Sequence, residues 1–378
     1  MKMMVRWIKM EKGDAMNELE KARETINVID EQIADLYVRR MDAAKQVAAY
    51  KKEHNLPVFD PVREKQLIAG ETAKVKDPAY RDSYGEFLQF LMDQSKVLQK
   101  TILSKGKTAY CGVPGAFAHQ VCQRLFPHTE ITGCASFEEV LRLVAEHEVE
   151  QGILPLENSY SGLVGEVMDG LMNYPVYITE VVDEQIQQCL LGVPGATLKD
   201  VQTVYSKDQA LAQCAPFVKA LGAAPVPYPN TALAAKDVAK SKDKSKAAIG
   251  AKENAMLYGL DVLVENIESD KENTTRFLVV KAAPNAQMYP QQSVLFSVSN
   301  TPGALASVIS VLAKYGLNMD CLQSRPRKNK PFEYFFYLQI TSGADEETIR
   351  RCMEEIEPLC QELKWLGSYP ARGKDEEA

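Results

Sequence analysis

Histidine is scarce and one-sided. The 378 residues contain four, His54, His119, His128 and His147, so imidazole chemistry is excluded from everything after Glu148. The eight cysteines form no CxxC pair and no zinc-like grouping with histidine, which excludes the common zinc frameworks and suits reduced, mostly buried thiols. No apolar run approaches the roughly 18 residues of a membrane span. The opening MKMMVRWIKMEKGD breaks its apolar residues with Arg6 and Lys9 and so lacks a signal-peptide core; a cytoplasmic protein is expected. Basic charge is not in excess either, with 44 basic against 51 acidic residues and a net charge of -7. No global field favours nucleic acid or an anionic membrane, so an anionic ligand must be caught locally. With no P-loop, no GxGxxG fingerprint and no ligand cluster, no metal or organic cofactor is expected.

What is present divides the chain into regions. Its length exceeds one ordinary core and suggests roughly two to three domains, and 46% hydrophobic with 25% charged residues is the balance of a folded, water-soluble protein. Between Gly13 and Pro57 there is no glycine or proline, and Leu19, Ile26, Ile29, Ile33, Leu36, Met41, Ala44 and Val47 recur at helical spacing. One helix of about 40 residues, near 60 Å long, is predicted, and its apolar stripe needs partner helices or a second chain. Two further helical patterns run from about Pro61 to Val75 and from Pro78 to Leu103, followed by a linker, SKGKT.

From Lys107 strands alternate with helices. TAYCGV, EQGILPL, VQTVYS, APVPY, AAIG and TTRFLVVKA read as strands; AFAHQVCQRLF, SFEEVLRLVAEHE, QALAQCAPFVKAL and a segment opened by Asn230 read as helices, with Ser136 and Glu139 fitting a capping box. This implies two small α/β lobes with mostly parallel sheets. KSKDKSK, from Lys240, reads as a solvated loop. Beyond APNAQMYPQQ, the segments SVLFSVS, GALASVISVLAKY, NMDCLQSR, FEYFFYLQIT, DEETIRRCMEEIEPLCQEL and KWLGSY spell a βαββαβ unit, and ARGKDEEA a frayed end.

In the helical region Arg40 and Lys51 return almost to the same face at 100° per residue, so both can point into one pocket. Arg23 lies about 25 Å before Arg40 along the rod, and an antiparallel partner chain would be needed to bring it across. Taken singly these are ordinary solvated charges, and Asp60 and Glu64 could equally be helix N-terminal charges. Together, however, Arg23 before VIDEQI, Arg40, Lys51, the DPVRE stretch with Asp60 and Glu64, and Ser95 with Gln99 in DQSKVLQ resemble, in order and spacing, the all-helical class of chorismate mutase over residues 14 to 104. The resemblance implies a site shared by two intertwined subunits. Arg23 of one chain and Arg40 of the other would bind the substrate carboxylates, Lys51 and Gln99 would contact the ether oxygen, and Asp60, Glu64 and Ser95 would hold the rest. These residue types suit the chemistry independently: a pericyclic rearrangement needs no nucleophile, only a dianion held compactly and donors to an oxygen gaining charge. Removing one such donor should cost about 3 kcal/mol.

GVPGAFAHQ, PLENSYSGLVGEV, VYSKDQALAQC, NTALAA and NTTRFLVV fall at strand-to-helix turns or strand starts, where α/β proteins bind ligands. In that order they resemble prephenate dehydratase, which implies a two-lobed fold like that of periplasmic binding proteins with the site in the cleft. By this resemblance Glu157, Asn158, Ser159 and Ser161 form one wall, Ser206, Gln209 and Gln213 face them from the other lobe, and Thr275, Arg276 and Phe277 are the TRF motif. Thr275 is then the donor to the departing hydroxyl, and Arg276 either binds a carboxylate or makes a structural ion pair. Threonine is a poor acid, so it is expected to act within a hydrogen-bond relay, with aromatisation supplying much of the driving force. Two departures from the family stand out. Gln188 stands where His usually precedes CLL, and Lys207 with Asp208 replaces His-Pro, so neither histidine can be essential here. Lys207 remains as a cation near the cleft, and the choice between prephenate and its aminated analogue, arogenate, stays open.

In the last region TPGAL and LQSRP resemble the amino-acid-sensing ACT domain. That resemblance implies a phenylalanine site on Gly303, Ala304, Leu305, Gln323, Ser324, Arg325 and Pro326, the helix N-terminus receiving the carboxylate. Gln323 replaces the family's Glu and Phe332 its Trp, which would weaken feedback. The expected whole is an all-α chorismate mutase domain over 12–104, an α/β dehydratase domain over 106–282 and an α+β ferredoxin-like ACT domain over 291–370. Such a chain would convert chorismate through prephenate to phenylpyruvate as a homodimer or dimer of dimers. The rivals are a non-enzymatic aromatic amino-acid sensor and an enzyme with one active half.

Overall fold

A computed structural model describes residues 2–54, 56–328 and 333–370, with side chains from residue 18 onward. The chain divides into two compact units, Met1–Leu103 and Ser104–Ala378. Phe332 and the closing ARGKDEEA lie outside the described residues. Among the described residues no helix is long and apolar enough to cross a membrane.

The first unit is three helices: α1 (Lys2–Glu53), α2 (Pro61–Thr72) and α3 (Arg81–Ser104). Helix α1 begins earlier than glycine placement suggested, because Gly13 is carried inside it. Helix α2 starts where Asp60 accepts a hydrogen bond from the Arg63 amide at 3.0 Å and Pro61 presets the first turn. Pro78–Tyr80 form a 3₁₀ turn capped by Asp77 ahead of α3. The buried hydrophobic residues of this unit, among those described, are Ala44, Ala48 and Leu88. Ile26, Ile29, Ile33 and Leu36 remain exposed along α1, so the expected apolar stripe is present and uncovered in the single chain.

The second unit opens with β1 (Lys107–Cys111), α4 (Phe117–Leu125), β2 (Glu130–Cys134), α5 (Phe137–Ala145), β3 (Gln151–Asn158), β4 (Gly162–Leu163), α6 (Gly165–Asn173) and β5 (Tyr177–Gln185). The chain then crosses to β6 (Cys189–Gly192), β7 (Thr203–Ser206), α7 (Asp208–Gln213), α8 (Ala215–Leu221), β8 (Ala224–Pro227), α9 (Thr231–Ser241), β9 (Lys246–Gly250), α10 (Glu253–Tyr258) and β10 (Asp261–Val264). It returns as β11 (Thr274–Lys281). One lobe holds the sheet β2-β1-β3-β11-β5 and the other β10-β6-β9-β7-β8. The expected mostly parallel sheets are instead mixed: β1 pairs parallel with β2 and β3, but β11 pairs antiparallel with β3 and β5. In the second lobe β6 pairs antiparallel with β9 and β10. The cause is the return crossing, which brings β11 back into the first sheet from the opposite direction. The two crossings bind each other, Ile186 N to Asn273 O at 2.8 Å and Ile267 N to Gln188 O at 2.9 Å. The KSKDKSK stretch is only partly loop, since Lys240 and Ser241 end α9 and Lys246 begins β9.

The chain closes with β12 (Gln291–Ser297), α11 (Ala304–Lys314), β13 (Asn318–Pro326), β14 (Tyr334–Thr341), α12 (Glu346–Ile356) and β15 (Glu362–Tyr369), a βαββαβ unit in the antiparallel order β13-β14-β12-β15. One side of this sheet has its own core with α11 and α12. The other side, through Leu295, Phe335, Tyr337, Leu366 and Tyr369, shares a core with α5, α6 and the first lobe.

Candidate active sites

Six of the residues singled out in the helical unit, Arg40, Lys51, Asp60, Glu64, Ser95 and Gln99, line one cavity of about 660 Å³. Arg40 Nη1 donates to Leu91 O at 2.7 Å and to the Ser95 hydroxyl, and Lys51 Nζ donates to Val58 O at 2.7 Å. Burial, then the nearby Arg63 charge, lowers the Lys51 pKa, while Asp60 opposes the shift. Glu64 is held by Lys96 at 2.9 Å and by Gln89 at 2.7 Å. Burial works against the Lys96 ammonium, but its hydrogen bonds to Asp93 and Glu64 outweigh that and raise its pKa. Gln99 is buried, and its Oε1 has no hydrogen-bond partner among the described residues. Arg23 is exposed and does not line the cavity. Arg63 and Lys96 do line it; both sit inside the quoted DPVRE and DQSKVLQ stretches, so adjacency was the signal that could have found them.

In the two-lobed region Asn158 is the hub. Its Nδ2 donates to Asn273 Oδ1 at 2.8 Å, Thr275 Oγ1 at 3.0 Å and Thr274 O at 3.2 Å. Its Oδ1 accepts from the amides of Tyr160 and Ser161 at 3.1 and 3.2 Å and from the Ser161 hydroxyl at 3.3 Å. From the other lobe Gln209 Nε2 reaches Asn158 Oδ1 at 3.3 Å and Ser161 Oγ at 3.1 Å. Ser159 Oγ accepts from Thr274 N at 3.0 Å. Thr275, Asn158, Ser161 and Gln209 are thus joined in one network. Asn273 belongs to the network although sequence reasoning missed it; it opens the same NTTRF stretch.

The remaining candidates are placed elsewhere. Between β3 and β11, Phe277 lies opposite Pro155 and Arg276 opposite Glu157, so Leu156 is an extra residue and the strand bulges. The bulge resets the alternation of side chains, putting Asn158 with Thr275 on the face covered by α4. Arg276 and Glu157 share the opposite face, with Leu278 and the C-terminal sheet. There Arg276 grips Asp183 through Nε at 2.9 Å and Nη2 at 3.1 Å, and that bond, ahead of opposing burial, raises its pKa. The structural ion pair is therefore what is observed. Phe277 is a core residue packed with Tyr110 and Ile153. Ser206 is fully buried and donates to Ile249 O at 2.7 Å, while Gln213 is buried on α7. Gln188 is buried in the crossing, its amide donating to Glu268 at 2.8 Å.

In the C-terminal unit Gly303, with φ of +87°, precedes α11, which begins with Ala304 and Leu305. Gln323, Ser324 and Pro326 are exposed on β13, but Arg325 turns to Asp169 of α6 with contacts of 2.5 and 2.6 Å, joined by Lys328 at 3.1 Å. Burial opposes ionisation of Asp169, yet these partners hold its pKa below the usual carboxylate value.

A chorismate mutase type II family model matches residues 22–100, and a prephenate dehydratase family model matches residues 108–285. The bifunctional chorismate mutase/prephenate dehydratase of Escherichia coli K12 is 30% identical over 374 residues, covering 94% of this chain and 97% of that one. The Aquifex aeolicus protein of the same description is 30% identical over 363 residues, with 94% and 98% covered. A prephenate dehydratase from Arthrobacter aurescens, solved with L-Phe, shares the fold with a TM-score of 0.65 at 24% identity, over 70% of this chain and 90% of that one. With cationic pocket and interlobe network both in place, the chain belongs to the bifunctional chorismate mutase/prephenate dehydratases, enzymes that rearrange chorismate to prephenate and then dehydrate and decarboxylate prephenate to phenylpyruvate.

Proposed function

We propose that residues 12–104 carry the rearrangement, 106–282 the dehydration and 291–370 an ACT-type sensor of phenylalanine. In the first site Arg40 binds a carboxylate and Lys51 and Gln99 meet the ether oxygen. Donors fixed beforehand by the protein stabilise the charge that develops as the C–O bond breaks. Arg23 of a second chain completes the pocket, a reading supported by its distance from Arg40 along α1 and by the exposed Ile26, Ile29, Ile33 and Leu36, which a partner would cover. Asp60, Glu64 and Ser95 shape the remainder.

In the cleft, which we read as binding-protein-like, Thr275 delivers the proton to the leaving ring hydroxyl. As the ring C–COO⁻ bond breaks, its electron pair enters the ring and expels that oxygen, so one proton consumed gives water, CO₂ and phenylpyruvate. The observation that carries this reading is the Asn158 amide on Thr275 Oγ1: by donating to that oxygen it leaves the hydroxyl proton free for substrate. The eight free cysteines accord with a reducing, cytoplasmic setting.

The test supplies purified protein with chorismate alone and resolves chorismate, prephenate and phenylpyruvate by chromatography at neutral pH. Phenylpyruvate above a no-enzyme control is expected, falling when phenylalanine is added. Prephenate accumulating without phenylpyruvate would overturn the cleft assignment, and indifference to millimolar phenylalanine would overturn the sensor.

A further inference from the structure

A dianionic substrate needs a cation in the dehydratase cleft, and Arg276 is committed to Asp183 on the other face of the sheet. Arg124 and Lys252, on α4 and just before α10, are likewise paired, with Glu184 and Glu265. Lys207 differs. It follows the C-terminal end of β7, stands two residues before Gln209, whose amide bridges the lobes, is exposed, and its ammonium has no hydrogen-bond or ion-pair partner among the described residues. Its charge also acts across the lobes on the Cys111 thiol at the end of β1, countering the larger upward effects of burial, Glu166 and Glu139 there. Both strand ends are C-terminal ends, the edge of an α/β sheet where ligands sit.

We infer that Lys207 binds the side-chain carboxylate of prephenate and, through its charge, favours this keto acid over the zwitterionic arogenate. The choice of carboxylate follows from the chemistry. A ring carboxylate gripped by an ammonium would hold its electrons and resist leaving as CO₂, so uniform binding of that group would work against the transition state. The side-chain carboxylate survives into phenylpyruvate, so a cation can hold it throughout. Arogenate places an ammonium next to that carboxylate, and a second cation beside it is repelled. This inference rests on the cleft being the dehydratase site.

The experiment compares wild type, Lys207→Gln and Lys207→Arg in kcat/KM for prephenate and arogenate and in phenylpyruvate inhibition, with circular dichroism and thermal unfolding as the folding control. Losing one charge-assisted contact should lower prephenate kcat/KM by about 10- to 100-fold, mostly through KM. Phenylpyruvate inhibition should weaken by a similar factor, Lys207→Arg should recover most of the loss, and the prephenate-to-arogenate ratio should fall. Unchanged prephenate kinetics, or a loss with no change in phenylpyruvate inhibition, would overturn the inference. Thr275→Ala, run alongside, separates the two levels: if it keeps full dehydratase activity the cleft reading fails, whereas if only Lys207→Gln is silent the cleft stands and Lys207 is not its cation.

Discussion

The helical cavity and the interlobe cleft are built from opposite materials. In the cavity, side chains with full charges, Arg40, Lys51, Arg63 and Lys96, surround about 660 Å³ and face carboxylates at Asp60 and Glu64. In the cleft, the connected groups are neutral amides and hydroxyls, while Arg276 and Glu157 lie on the far face of the sheet. The contrast matches the two reactions. A rearrangement that keeps both carboxylates and moves charge within one molecule is helped by fixed cations. A reaction that must release a carboxylate as CO₂ and deliver one proton is helped by a neutral relay that leaves the departing group unpaired.

The sharpest way to break this comparison is to damage each site alone. Thr275→Ala should lower dehydratase turnover by about 10²- to 10⁴-fold, the usual range for a positioned acid, while chorismate is still consumed and prephenate accumulates. Arg40→Ala should lower mutase turnover by about 10²- to 10³-fold and leave conversion of supplied prephenate intact. If either variant disabled both steps in folded protein, the separation would be wrong. A smaller effect is expected at Asp169→Ala, which strips Arg325 and Lys328 of a largely buried partner. About 1–2 kcal/mol of stability should be lost in thermal or denaturant unfolding, since Arg325 is partly solvated and the full cost of orphaning a buried charge does not apply. Native-like stability would show that the pair only decorates the interface.

Legibility in the sequence followed how local each cause was. The start of α1 apart, the helices could be read because glycine and proline spacing, Asp60 and Asn230 are local signals, and both caps form. The cavity was legible for the same reason: Arg40 and Lys51 share one helix face. What failed was non-local. No run of residues announces that β11 returns antiparallel, so the sheets read as parallel. Nor does the ENS stretch reveal that Leu156, 119 residues before Thr275, is an extra residue against β11, so that Asn158 rather than Glu157 shares the face of Thr275. The pairing of Arg325 with Asp169, 156 residues distant, was out of reach for the same reason.

The finest test sits within the cationic cavity. Lys51 must be protonated to donate to the ether oxygen, and its pKa is lowered first by burial and next by Arg63, with Asp60 opposing. A lowered pKa means the ammonium is lost at a lower pH than for an ordinary lysine, so mutase kcat/KM should fall on the alkaline side earlier than an ordinary lysine would titrate. Removing the Arg63 charge takes away a repulsion and should move that limb upward; Asp60→Asn takes away an attraction and should move it downward. Lys51→Arg, charged throughout the accessible range, should be slower but should lose the limb altogether. Prephenate turnover, carried by the other unit, should keep its own alkaline profile in all three variants. If the mutase limb survived in Lys51→Arg, the titrating group would lie elsewhere, and the cavity's dependence on a protonated Lys51 would be refuted.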